Sequence, residues 1–177
     1  MGYIGPKCSS QKEIKLMVLL GSFAVGMMVL LTGCASSIQY PPFPDQSKKV
    51  EDASKARLYL IRPARFWGAA NIFRYYETSP AAIGPRLGDR LRMIGEMSSG
   101  SYLCWESPPG LRVIQSSQGN PKTNVQLDLA AGNVYYFRAS LRGGWSGPRP
   151  CINVISSDEG QRLLKKCKPP NNYVKNH

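Results

Sequence analysis

The chain has 177 residues, with 23 lysines and arginines against 11 acids and a single histidine, a formal charge of +12. Once a signal and a linker are set aside, this length suits one domain of roughly 110 residues, which buries about two-thirds of its unfolded surface and needs no metal or dense disulfide framework. The basic surplus suits anionic headgroups, acidic polymers or plain solvation; no recognition motif accompanies it, so no nucleic-acid partner is expected.

Residues 1–33 read as a secretory signal. Lys7, Lys12 and Lys15 precede an uncharged run from Leu16 to Gly33, the basic and apolar order of an export signal. Leu31, Thr32, Gly33 and Cys34 resemble the lipobox of bacterial lipoproteins. Small Thr32 and Gly33 let a signal peptidase approach the backbone, and the Cys34 thiol then takes a diacylglyceryl group. One acyl chain binds a bilayer only marginally, at about 0.8 kcal/mol per buried CH₂; two or three, palmitate-like in length, give a lasting anchor. The alternative is an uncleaved spanning anchor, for which the run is about the minimum length. Both place the rest of the chain outside the cytoplasm. Ala35 after the cysteine, where enterobacterial lipoproteins kept in the inner membrane often carry Asp, favours the outer membrane facing the periplasm. Cleavage removes three lysines and Glu13, leaving 20 basic and 10 acidic residues, a surplus of +10.

Residues 34–55, the lipidated cysteine followed by a segment with Pro41, Pro42 and Pro44, read as a semi-rigid extended tether. Residues 56–168 read as an all-β domain. Ala56 to Pro63 is a strand stopped by proline. Residues 64–80 read as a long aromatic loop or irregular hairpin. Arg86 to Met97 suggests a hairpin with Gly88 and Asp89 near its turn. Strands follow at Ser101–Ser107 and Leu111–Ser117, separated by a Pro-Pro-Gly turn. Val125, Leu127 and Leu129 alternate as a half-buried strand does. Ala131 to Asn133 turns into a strand over Val134–Leu141, and Cys151–Ile155 is the last. Ser156 and Glu159 have capping-box spacing for a short terminal helix, with Asp158 early and Lys165, Lys166 and Lys168 late, as the helix dipole favours. Residues 169–177 read as a disordered tail. Short strands with regular turns point to an immunoglobulin- or transthyretin-like β-sandwich.

His177, the only histidine, ends the chain, so triad and Cys-His chemistry lack a positioned base. No paired Cys-x-x-Cys is present for a metal, and no pair of carboxylates is singled out. The expectation is a non-catalytic protein without metal or cofactor. Cys104, Cys151 and Cys167 leave an odd count in an oxidising compartment. A Cys151–Cys167 disulfide is slightly favoured over Cys104–Cys151. The candidate binding surface is basic and aromatic: Arg62, Arg65, Phe66, Trp67, Arg74, Tyr75 and Tyr76, with a second loop of similar character bearing Arg142, Trp145 and Arg149. Exposed, these groups suit an envelope protein or an anionic polymer; buried, the aromatics would simply close the core. A purely structural or stress-related lipoprotein is the other reading, and the sequence sets no oligomeric state.

The runs ARLYLIRP (56–63), PPGLRVI (108–114) and LDLAAGNVYYFRA (127–139) resemble, in order and spacing, the bacterial lipoproteins of domain-of-unknown-function family 2846. The resemblance spans about residues 56–155 and implies an envelope β-sandwich. It implies no chemistry, so it transfers no functional residue. Arg112 stands where members often carry His, and the aromatic stretch 64–80 is longer than the family pattern.

Overall fold

A computed structural model describes residues 37–65, 68–79, 91–118, 124–143 and 147–171. Leu31, Thr32, Gly33, Cys34, Phe66, Trp67, Trp145 and the Gly88-Asp89 turn lie outside the described residues, as do 172–177 of the expected tail.

Nine strands and one helix are described: β1 (Ser37–Gln39), β2 (Ala56–Arg62), β3 (Phe73–Thr78), β4 (Arg92–Met97), β5 (Ser101–Ser107), β6 (Gly110–Ser116), β7 (Val125–Leu129), β8 (Val134–Arg142), β9 (Arg149–Ile155) and α1 (Ser157–Leu164). They form two packed sheets, sandwich-like. One has the order β1-β4-β3-β6-β7, the other β5-β2-β8-β9. All pairings between the named strands are antiparallel except β2 with β8. Parallel strands need cover on both faces, and β2 has it: all seven of its residues are buried.

Period-2 alternation sorts β2 into two sets. Ala56, Leu58 and Leu60 face the other sheet and join Phe73, Tyr75, Ile94, Leu103, Trp105, Ile114 and Phe137 in the main core. Tyr59 and Ile61 face outward into a second cluster with Phe43, Cys104 and Tyr136, flanked by Leu163, Leu164 and Cys167. Each such large apolar side chain contributes about 1.5–3 kcal/mol by leaving water.

The helix forms where its cap predicts. Ser156 accepts from the Glu159 amide at 3.3 Å, and Asp158 and Glu159 occupy the first turn. Its weak helix former, Gly160, is there for contact: a Cβ would overlap the Tyr136 ring. Gly132 takes φ +73° in the expected turn before β8, a left-handed conformation that glycine adopts at no steric cost.

Three expectations give way. The stretch 64–80 is not all loop, because Phe73–Thr78 is a strand between β4 and β6. The stretch 37–55 is not a free tether. Ser37–Gln39 adds β1 to β4, and Phe43 is buried in the second cluster. The Gln39 side chain also completes the edge of β5: its amide donates to the Cys104 carbonyl at 2.6 Å and its carbonyl accepts from the Cys104 amide at 2.8 Å. The tail starts as part of the domain too, with Pro170 buried and the Asn171 amide donating to the Ser37 carbonyl at 2.8 Å. The prolines that forbid helix in 41–44 leave extended chain, and extended chain is what an open sheet edge accepts.

Candidate binding surface

The basic and aromatic residues predicted to act together are distributed over three places. Arg62 and Tyr75 lie inside. Arg62 is the inward-facing residue after Ala56, Leu58 and Leu60, and it is buried. One guanidinium nitrogen donates to the Asn71 carbonyl at 2.6 Å and the Met97 carbonyl at 3.1 Å, the other to the Gly68 carbonyl at 2.7 Å. The group lies 5.1 Å from the centre of the Phe73 ring. Burial lowers its pKa from the usual guanidinium value, but an arginine stays charged. Arg62 therefore ties the loop after β2 to the end of β4 and is not a contact for a partner. Tyr75 is wholly buried, and burial pushes its hydroxyl pKa up. Both are corrections to the expected surface.

Arg74 and Tyr76 are on the outer face of the five-stranded sheet, because β3 alternates Phe73, Tyr75 and Glu77 inward. Arg74 Nε donates to Glu96 Oε1 at 2.8 Å, and that hydrogen bond raises its pKa. Ile38 pairs in register with Glu96 on the far side. Tyr40 follows, its amide bonded to the Ile94 carbonyl at 3.0 Å; it is 58% exposed. This face thus gathers Ile38, Tyr40, Arg74 and Tyr76.

Arg65, Arg142 and Arg149 are exposed at the end of the sandwich where β2 stops. Arg142 and Arg149 are direct partners across the β8–β9 ladder. The Arg65 amide donates to Ser99 Oγ at 3.0 Å.

Sequence reasoning missed a buried ion pair at the opposite end. Arg57 places Nε at 3.3 Å and Nη2 at 3.0 Å from Glu106 Oε1, and Nη1 at 2.6 Å from the Lys48 carbonyl. Glu106 also accepts the Glu51 amide at 2.6 Å and the Asp52 amide at 3.2 Å. Burial, the largest single effect, opposes the Arg57 charge, but the bond to Glu106 together with neighbouring Cys104 and Tyr59 more than offsets it, and the pKa is raised. Arg57 and Glu106 sit in facing strands at matched register, where opposite charges pair, a register that only the folded structure sets. Beside them is a cleft of about 280 Å³ lined by prolines 41, 42 and 44 and by Glu51, Lys55 and Arg92 among others. Its Asp52 carboxylate, bonded to Ser54 and Lys55, is held down to about 2 by these hydrogen bonds.

Cys104, Cys151 and Cys167 are free thiols, so the expected Cys151–Cys167 disulfide is not formed. Cys151 faces Ser140 in the β8–β9 pair, whereas Cys167 donates to the Arg62 carbonyl on β2 at 3.8 Å. Two strand spacings of about 4.8 Å separate β9 from β2, beyond the roughly 7 Å limit between bridged Cα atoms. Cys104 on β5 is farther still from Cys151. Burial pushes the Cys104 thiol up to about 12 and the Cys167 thiol to about 11, so both are poor nucleophiles at neutral pH.

Among the described residues, no three His, Cys, Asp or Glu side chains gather as metal ligands do. No family model, curated protein or solved structure matches the chain.

Proposed function

We propose that this protein is an envelope lipoprotein, anchored through Cys34, whose domain binds an envelope protein and performs no chemistry. The observation that carries the binding reading is the outer face of the five-stranded sheet, which no element among the described residues covers and where Ile38 and Tyr40 stand exposed beside Arg74 and Tyr76. Tyrosine and arginine over a small apolar base is the composition of protein contact surfaces. Glu96 neutralises Arg74, which favours a protein over an anionic polymer at this face. The buried or exposed acids with arginine partners, Glu77, Glu96, Glu106 and Glu159, are engaged in structure, which supports the non-catalytic reading.

Of the two expected sandwich types, the transthyretin-like one is favoured. An immunoglobulin constant domain places its first strand beside its second in one sheet; here β2 is flanked by β5 and β8, with β3 in the other sheet.

The anchor is tested by the intact mass of protein extracted from membranes. A chain beginning at Cys34 with added acyl mass supports it, and one beginning at Met1 replaces it with a spanning anchor. The binding face is tested by a photo-crosslinking residue at position 40 in cells, with position 153 on the other sheet as control. One discrete adduct at position 40, lost in Arg74→Ala/Tyr76→Ala, supports the reading. Identical adducts at both positions, or none, leave the domain a purely structural lipoprotein.

A further inference from the structure

We infer that the end of the sandwich at which the chain enters through Ser37 is a basic face that rests on anionic phospholipid headgroups. The inference rests on the lipoprotein reading for its anchor and on the charge layout for its orientation.

Ser37 is fixed at this end, where the edge strands β1 and β5 meet. Its carbonyl accepts from Asn171 and its hydroxyl from the Ser98 amide at 3.3 Å, and it is hydrogen-bonded to the Ser101 hydroxyl. The chain after α1 passes through the same place, with the Lys168 amide donating to the Gly100 carbonyl at 2.9 Å and the Tyr102 amide to the Lys168 carbonyl at 3.0 Å. Only three residue steps link Cys34 to Ser37, at most about 11 Å of chain. With 37–55 folded onto the domain there is no long spacer, so an acylated Cys34 holds this end within reach of the headgroups.

Among the described residues, the fully exposed charges at this end are basic. Arg65, Arg142, Arg149, Lys165, Lys166 and Lys168 are all exposed there. The nearest carboxylates are engaged or turned away. Glu96 is paired with Arg74 at 2.8 Å, Glu159 with Arg138 at 3.2 Å, and Asp158 sits in the first turn of α1, away from the lysines that follow its last. Asp45, Glu51, Asp52, Glu77, Glu106 and Asp128 belong to the opposite end, with Lys48, Lys49, Lys55, Arg57, Arg92 and Arg112. That mixed end offers an anionic surface no net attraction, whereas a cluster of four to eight basic residues beside a membrane anchor is the pattern that binds anionic lipid.

The test uses the full lipidated protein, with its mass checked first so that a missing acyl group is recognised as failure of the anchor alone. It is reconstituted in phosphatidylcholine vesicles with and without roughly one-third phosphatidylglycerol and labelled briefly with an amine-reactive reagent; on the anionic vesicles, labelling of Lys165, Lys166 and Lys168 should fall about three- to tenfold relative to Lys48 and Lys49 and recover in high salt. Equal labelling at both ends, or equal protection on neutral vesicles, overturns the proposal. Lys165→Glu/Lys166→Glu/Lys168→Glu should retain its melting temperature and lose the lipid-dependent hydrogen-exchange protection of amides 99–102. Protection that survives the reversal also overturns it.

Discussion

β2 is buried at all seven positions, whereas β3 alternates between buried and open, and the contrast follows from what lies behind each strand. The outer face of the four-stranded sheet is covered by α1 and by the segment after β1, which seat Phe43, Leu163 and Leu164 on Tyr59, Ile61 and Tyr136. The outer face of the five-stranded sheet carries no such layer among the described residues; Ile38, Tyr40, Arg74 and Tyr76 remain at its surface. The covered face spends its polar groups on itself, as Arg57, Glu106 and Gln39 do. The bare face keeps its side chains available. Substitutions on the two faces should therefore differ in kind: losses of stability on one, losses of binding on the other.

The largest effect is expected at Arg57. Replacing it with Met leaves Glu106 buried with only its two backbone donors and should cost about 3 kcal/mol in urea unfolding; Glu106→Gln in the same chain should return part of the loss. No loss would place the ion pair among those that contribute nothing.

Alkali should also act on the covered face. Burial raises the Cys104 thiol from 9.0 to about 12 and the Cys167 thiol from 9.0 to about 11, and raises the Tyr59 hydroxyl as well. The folded state disfavours the ionised forms, so their contribution to stability is complete below about pH 9 and is lost as pH climbs toward 12. The melting temperature should fall through that window, and Cys104→Ala should make the fall shallower. A flat profile would show these groups to be open to water.

Gly160→Ala gives a smaller effect with a diagnostic sign. On an isolated helix the change gains about 1 kcal/mol. Here the new methyl meets the Tyr136 ring, so about 1–3 kcal/mol should be lost instead. A stabilised variant would mean that α1 is not seated on β8. The smallest effect belongs to the bare face, where Arg74→Ala should move the melting temperature by under about 2 °C, whatever it does to the crosslink at position 40. A large drop would make Arg74 part of the scaffold.

The same contrast explains what the sequence made legible. Strands β2, β5, β7 and β8 announce themselves by apolar runs or alternation, and α1 by its cap. β3 hides because Glu77 occupies an inward position and Tyr75 and Tyr76 are adjacent, which blurs the period. β1 is three residues long with no apolar pattern; its pairing is a tertiary fact. Arginine is usually exposed, which places Arg62 outside, although counting by twos from Leu58 puts it inside. The grouping of Arg62 with Arg74 treated neighbours in sequence as neighbours in space, while the pleat sends them to different layers. Arg57 gives no local signal because its partner is 49 residues away.

Gln39 does two jobs at once. Its backbone lies against β4 in one sheet while its side chain occupies the open edge of β5 in the other, so a single residue closes both rims of the seam between the sheets. Unprotected rims are templates for neighbouring chains. A proteolytic nick within 40–55 that frees this latch is expected to leave a domain that still holds its core yet joins edge to edge with its neighbours. If the proposed anchor holds the chain, it confines molecules to two dimensions and raises their local concentration, and the residues closest to it would also be the ones that keep crowded copies apart.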